Sequence, residues 1–447
     1  MGENLALMAE RKKLTSGRAR RAIRIGGLAS QIGSSYLWTT LRKQFLSADA
    51  GQRELLDVHI RNARRIVEGS KELRGAFMKL IQMLSMRRDI LPDEALEVLK
   101  LTQSNVPPMD YKMIAEQVRR ELGKKPEQLF ASFEQHAFAA ASLGQVHRAR
   151  LRSGEEVAVK IQYPGVEETV EQDLRNLKLL LQTIRAIAHD VMRQKIETRS
   201  IFEELAERLN EELDYVHEAR NLAIFDRLLA DDPETMVPRV IPDLSSRRVL
   251  TMTYLDGYPL ADVLAPGVDR ELKDWVARKY YTLVWRQILE FGVLHTDPHP
   301  GNYLVTYHPR LGILDFGSIR RFSEPVRRAH VKLARALLDD DDRAMGEAMV
   351  ALGYLDDDQD PEPMVRVLHI LFEPIQADRA FDPSGYDSLG KATQVGEITL
   401  THKLYKSPAH SVFLLRALIG LEGIIQQLGC VTNYREIFRR CVERAEG

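Results

Sequence analysis

Between His295 and Gly317 the chain sets three polar side chains in a fixed order, Asp297, Asn302 and Asp315. Asp297 stands in His295-Thr296-Asp297-Pro298-His299-Pro300-Gly301-Asn302, five positions before Asn302, and Asp315 opens Asp315-Phe316-Gly317. Two short apolar runs between these motifs, Tyr303-Leu304-Val305 and Gly312-Ile313-Leu314, read as strands. The order and spacing are those of the loop H-R-D-L-x-x-x-N followed by D-F-G. Phosphoryl transfer needs such a set because the protein does little covalent work. It holds the metal ions that bridge the β- and γ-phosphates and sets a carboxylate where it orients the attacking oxygen. A chance meeting of an acidic loop with a Leu-Asp-Phe-Gly turn does not produce this order and spacing together.

Upstream, Val157-Ala158-Val159-Lys160 is close to the V-A-I-K strand whose lysine contacts the α- and β-phosphates. Strand alternation puts Ala158 and Lys160 on one face and Val157 and Val159 on the other. The strand belongs to a predicted hairpin, His147–Leu151 and Glu156–Ile161, turned at Ser153-Gly154. Such a lysine calls for a glutamate on a helix, and Glu218 is the choice. No G-x-G-x-x-G precedes Lys160. In its place stands Phe138-Ala139-Ala140-Ala141-Ser142-Leu143-Gly144, a stiffer cover with helix propensity, and a plain alanine-rich helix start is the competing reading. Backbone near Met252, Tyr254 and Leu255 is expected to take the adenine. His295 and His299 flank Asp297 and read as structural braces of the loop, with a zinc pair as the competing reading.

A β-containing segment followed by a helical one, with the acidic loops where the second begins, predicts an α+β, protein-kinase-like two-lobed fold. Four segments are expected: a basic helical N-terminal extension over 1–65, a helical segment over 66–125, an N-lobe with a helical insertion over 126–255, and a mainly helical C-lobe over 256–447. After Gly317 the chain passes within a few residues into Pro325-Val326-Arg327-Arg328, a predicted helix. No long activation segment and no A-P-E follow, which argues against docking of polypeptide substrates.

The length of 447 residues, with 44% hydrophobic and 28% charged residues, fits a globular protein that buries a core. A net charge of -1 gives no whole-chain case for nucleic acid. Two cysteines, Cys430 and Cys441, imply no disulfide framework and fit a reducing cytoplasm. No spanning helix is predicted. The best candidate, 411–429, is interrupted by Arg416 and Glu422 and reads as a core helix. The basic stretch from Arg11 to Arg24 has two readings, a solvated arm or a contact with anionic lipid.

Ala-Ala-Ala-Ser at 139–142, Val-Ala-Val-Lys-Ile-Gln-Tyr-Pro-Gly-Val at 157–166, Glu-Leu-Asp-Tyr-x-x-Glu-Ala at 212–219 and His-Thr-Asp-Pro-His-Pro-Gly-Asn at 295–302 together resemble the UbiB/AarF family of atypical kinase-like proteins. The likeness covers roughly 70–320. It implies that the alanine-rich loop replaces the glycine-rich one and that Glu218 pairs with Lys160. It also implies that Lys79 and Gln82, from the family's Lys-x-Gly-Gln motif, cover the cleft close to Glu212 and Asp214. Read without the resemblance, Lys79 and Gln82 are the polar face of a helix. One departure stands out, because the family's glycine is Ile81 here, a β-branched side chain where a hydrogen is usual. The nearly sixty residues between Lys160 and Glu218 are accounted for as an inserted helical pair.

The resulting expectation is an atypical kinase or ATPase that binds ATP or ADP with Mg²⁺. Lys160 and Glu218 position phosphates, Asp315 and Asn302 hold metal, and Asp297 orients the nucleophile. By resemblance, its partner is a lipid or isoprenoid-quinone precursor at a membrane surface, and no nucleic acid is involved. Two rival readings stay open: a nucleotide-switched scaffold or lipid-handling module without catalysis, and a protein kinase.

Overall fold

The structure is a computed structural model. It describes residues 109–447 except 142, 176–177, 179–197, 377, 405, 407 and 409, together with scattered helical positions between 27 and 65. The chain divides into two compact units, one of 1–216 with 241–252 and one of 217–240 with 253–447.

The first unit is built on an antiparallel hairpin. Strands β1 (Ser132–Phe133), β2 (Ala139–Ala141), β3 (Gly144–Arg150) and β4 (Glu156–Gln162) precede β5 (Thr235–Met236) and β6 (Val249–Thr253) along the chain. Sheet order is β1-β3-β4-β6, and β2 also pairs with β3. The predicted hairpin is present, and its register sets Val146 opposite Lys160 and Gly144 opposite Gln162. The alternation predicted for β4 has its expected result: Val157, Val159 and Ile161 enter a core with Phe130 and Val249. Helix α1 (Tyr111–Leu122) covers that face with Ile114 and Val118. It starts at Asp110, whose carboxylate accepts from the Lys112 amide at 2.8 Å, and ends at Gly123, held at φ 78°.

The competing reading of the alanine run as a helix start is not met. Ala139–Ala141 form a strand, pairing Ala139 with Val146 and Ala141 with Gly144. Alanine's helix propensity is worth only tenths of a kcal/mol per residue, and ladder pairing with β3 overrides it. Gly144 makes this possible, because a Cβ there would lie 2.2 Å from the Ile161 carbonyl oxygen. Two helices, α2 (Thr198–Glu212) and α3 (Tyr215–Leu228), follow β4, and α3 carries Glu218 in its first turn.

The second unit holds the acidic loops between short strands. β7 (Tyr258–Pro259), β9 (Tyr303–Val305) and β10 (Leu311–Ile313) join β5 in a four-stranded sheet ordered β5-β10-β9-β7. A separate ribbon pairs β8 (Val293–His295) with β11 (Ile319–Arg321), setting His295 opposite Ile319. Helix α4 (Arg270–Arg286) runs into a π turn, Gln287–Phe291, that Gly292 ends at φ 60°. Helices α5 (Glu324–Asp339), α6 (Asp342–Ala351) and α7 (Glu362–Leu371) share an apolar core around Leu337, Met345, Met349 and Leu368. They are followed by α8 (Ser388–Thr401), α9 (Ser411–Leu428) and α10 (Tyr434–Glu446). Among the described residues no helix is long and apolar enough to cross a membrane.

Candidate active site

In the second unit, β8 and β11 bring the two acidic motifs side by side. Their ladder is prolonged by the Thr296 amide donating to the Ser318 carbonyl at 2.9 Å and by a 2.6 Å bond between the two hydroxyls. The loop after β8 therefore leaves beside the turn that enters β11. His295, buried on β8, bonds through Nε2 to the Asp315 carbonyl at 2.6 Å, and the His295 amide donates to Gln287 Oε1 at 2.8 Å. His299 Nδ1 accepts from the Gly301 amide at 3.0 Å. Both histidines brace backbone, which is the structural role expected of them.

The three polar residues are linked in the same way. Asn302 Nδ2 donates to Asp297 Oδ2 at 2.9 Å and to the Asp297 carbonyl at 3.1 Å. The Leu314 amide donates to the Asn302 carbonyl at 2.9 Å, tying the metal-binding candidates through backbone. Asp315 Oδ1 accepts from the Gly317 amide at 2.8 Å, which fixes the carboxylate over its own turn. Phe316 is fully buried, with its ring centroid 5.2 Å from that of Phe225 on α3. Asn221, also on α3, donates to the Phe316 carbonyl at 2.9 Å, and the Phe316 amide lies 3.5 Å from Glu218 Oε1. Glu218 is thus held against the Asp-Phe-Gly turn.

These donors suit a hard divalent cation, since they are carboxylate and amide oxygens with no thiolate among them. Asn302 turns its amide nitrogen toward Asp297, which leaves Oδ1, the atom a magnesium ion would take, on the opposite side of the amide.

Sequence motifs did not reveal Arg416. This residue on α9 donates from Nη2 to Asp297 Oδ1 at 2.7 Å, so both oxygens of that carboxylate are engaged. The pair is separated by 119 residues, and no spacing rule spans such a distance. The visible signal was a positive charge, one of two charged residues in a mostly apolar helix. Asn221 and Gln287 were also missed, because a buried amide that hydrogen-bonds backbone leaves no pattern in sequence.

In the first unit, Lys160 is 8% exposed on β4, and its ammonium stands 5.2 Å from the centroid of the Tyr215 ring. Ala139 and Ala140 are exposed and Ala141 half-buried along β2. The Glu212 carbonyl accepts from Gln162 Nε2 at 3.3 Å, and Asp214 Oδ1 accepts from the Val216 amide at 2.9 Å, holding the start of α3. Met252 is buried on β6 and closes the first unit, while Tyr254 and Leu255 open the next stretch of the second. Ser142, Lys79, Gln82 and Ile81 lie outside the described residues.

Comparison with known proteins gives a consistent picture. Residues 101–349 match the model of the ABC1 atypical kinase-like domain. The mitochondrial atypical kinase COQ8B of Rattus norvegicus is 30% identical over 442 residues, which covers 97% of this chain and 82% of that protein. The mitochondrial atypical kinase COQ8 of Saccharomyces cerevisiae is 30% identical over 388 residues, covering 84% and 76%. The structure of the Rv3197–erythromycin complex from Mycobacterium tuberculosis superposes with a TM-score of 0.60 at 26% identity, covering 88% of this chain and 97% of that one. The kinase-like α+β fold read from the motifs is the fold these relatives share, and the chain belongs to the UbiB family of ABC1 atypical kinase-like proteins.

Proposed function

We propose that this chain binds ATP or ADP with Mg²⁺ and either hydrolyses ATP or transfers its phosphoryl group to a small or lipid acceptor. The observation that carries the reading is the linkage of Asp297 to Asn302, and of His295 to Asp315, on one pair of adjoining loops. Asp315 and Asn302 are assigned to the metal, which when bound neutralises charge on the phosphates. Asp297 is assigned to orienting the attacking oxygen. Lys160 is assigned to the α- and β-phosphates, Glu218 to holding the lysine, and Ala139–Ala141 with Ser142 to covering the phosphates. Met252, Tyr254 and Leu255 are assigned to the adenine.

From the family we take the assignment of Lys79 and Gln82, with Glu212 and Asp214, to the cleft cover. The family also supplies an isoprenoid-quinone precursor or other lipid as partner, met by peripheral contact with a membrane. A polypeptide acceptor is disfavoured by a specific observation. The chain after Gly317 forms β11, paired with β8, and enters α5 at Glu324, which leaves no extended platform for a peptide.

The test is nucleotide binding by thermal shift, followed by turnover. Mg-ADP or Mg-ATP at millimolar concentration should stabilise the wild type by mass action. Asp315→Asn should abolish the magnesium-dependent part of that shift. Asp297→Asn should keep nucleotide affinity and lower turnover, because its role lies with the nucleophile and not with the bound phosphates. Absence of any shift in the wild type refutes the nucleotide site. Equal turnover in Asp297→Asn and wild type moves the function to the nucleotide-switched scaffold.

A further inference from the structure

We propose that Arg416 is a positioning residue for Asp297, and that α9 serves as the back wall of the catalytic loop. The inference rests on the phosphoryl-transfer reading and adds to it a residue that lies outside all of its motifs. Three observations within the second unit converge. First, Arg416 Nη2 lies 2.7 Å from Asp297 Oδ1 while Asn302 holds Oδ2 at 2.9 Å. The carboxylate is gripped from two sides and its plane is fixed.

Second, Gly420 stands one helical turn beyond Arg416, on the same face of α9. A Cβ at Gly420 would fall 2.1 Å from Cγ and 2.3 Å from Cβ of Pro298, the residue after Asp297. The missing side chain is what lets the loop rest against the helix, so two successive loop residues meet two successive turns of α9.

Third, the guanidinium is a poor choice for stability at this place. Arg416 Nε is buried and makes no hydrogen bond, in a helix otherwise rich in leucine and isoleucine. Desolvating a cation with one donor unsatisfied costs free energy that an apolar side chain of similar length would not. A residue kept for packing alone would be apolar. A residue that must present a fixed donor to a carboxylate is a guanidinium, whose planar geometry is set before the bond forms.

The positioned carboxylate matters because the attacking oxygen must be aligned with the phosphorus, and a misplacement of about 1 Å costs on the order of a hundredfold in rate. Arg416 has no role in holding the ground-state phosphates, so its loss should appear in kcat and not in nucleotide affinity.

The experiment uses the full chain and compares Arg416→Met and Arg416→Lys, each in the wild-type and Asp297→Asn backgrounds. Arg416→Met should lower kcat by about ten- to a hundredfold with the dissociation constant for Mg-ADP unchanged within about threefold. Arg416→Lys should recover part of the loss. In the Asp297→Asn background, Arg416→Met should add less than about threefold, because the residue acts through that carboxylate. Amide hydrogen exchange over 296–302 should quicken in Arg416→Met and stay close to wild type in Arg416→Lys. This readout needs no turnover, so it separates failure of the clamp from failure of the phosphoryl-transfer reading. Full kcat in Arg416→Met, an equal loss in both backgrounds, or unchanged exchange over 296–302 each overturns the proposal.

Discussion

Gly144→Ala isolates the geometry that sets Lys160. The new Cβ would sit 2.2 Å from the Ile161 carbonyl oxygen, 2.9 Å from its carbon and 3.0 Å from the Gln162 Cα. All three atoms are backbone, so no rotamer change relieves the overlap, and β3 must move away from β4 by about an ångström. Overpacking of this kind costs roughly 1–3 kcal/mol. For a unit of some two hundred residues, that lowers the melting temperature by roughly 2–12 °C. The displacement falls at one end of the ladder that sets Val146 opposite Lys160, and β2 pairs with the same end through Ala141 and Gly144. The alanine cover and the lysine strand should therefore be disturbed together. Differential scanning calorimetry gives the stability loss, and the Mg-ADP thermal shift gives the functional one, which should shrink with the logarithm of the lost affinity. A variant that melts within 1 °C of wild type with an undiminished nucleotide shift would refute both the steric argument and the assignment of β2 as phosphate cover.

Two further outcomes are expected. Burial, helped by the neighbouring His410 and opposed by a hydrogen bond to the Val326 carbonyl, pushes His330 down from 6.5 to about 4. Its folded-state value is depressed, so the stability it supports is intact above about pH 6.5 and fades as pH falls toward 4. By pH 5 the loss amounts to roughly 2 kcal/mol. His330→Phe should flatten this part of the urea-denaturation profile, although His147 and His410, also held down by burial, keep their shares; an unchanged slope between pH 7 and 5 would exclude His330 as its source. Lys279→Met takes one of two cations from Asp232, which lies 2.5 Å from the ammonium and stays paired with Arg286 at 3.1 Å. Leaving a buried charge wholly unpaired costs about 3 kcal/mol or more, so the loss should fall below that, and a full loss of about 3 kcal/mol would show that Arg286 does not compensate.

The legible parts of this chain were those with local pattern. Period-two alternation gave the face that Val157, Val159 and Ile161 bury, and turn chemistry at Ser153-Gly154 gave the hairpin. Asp297, Asn302 and Asp315 were readable because they stand in local motifs, and Asn302 bonds Asp297 only five positions away. The alanine strand was not, since propensity favours a helix and only pairing with β3 decides otherwise. The short strands β8 and β11 were missed as well. Three residues carry too little periodicity, and their partnership forms across the loops they frame. Arg416 was visible only as one of two charges in a mostly apolar helix, its meaning fixed by a fold that returns α9 to the loop.

The π turn at Gln287–Phe291 stores part of the site's geometry in chain length. Each residue of an α-helix turns the chain by about 100°, so one residue more or fewer redirects whatever follows. Here the following element is Gly292 and then β8, which delivers His295 and Asp297. Removing a single residue from 287–291 would restore ordinary helical winding and leave every motif letter in place. It would also send the loop off in a new direction and detach the His295 amide from Gln287. Alignments that score only the acidic motifs are blind to such a change. In this scaffold the number of residues in one turn, as much as any side chain, determines where the loop points.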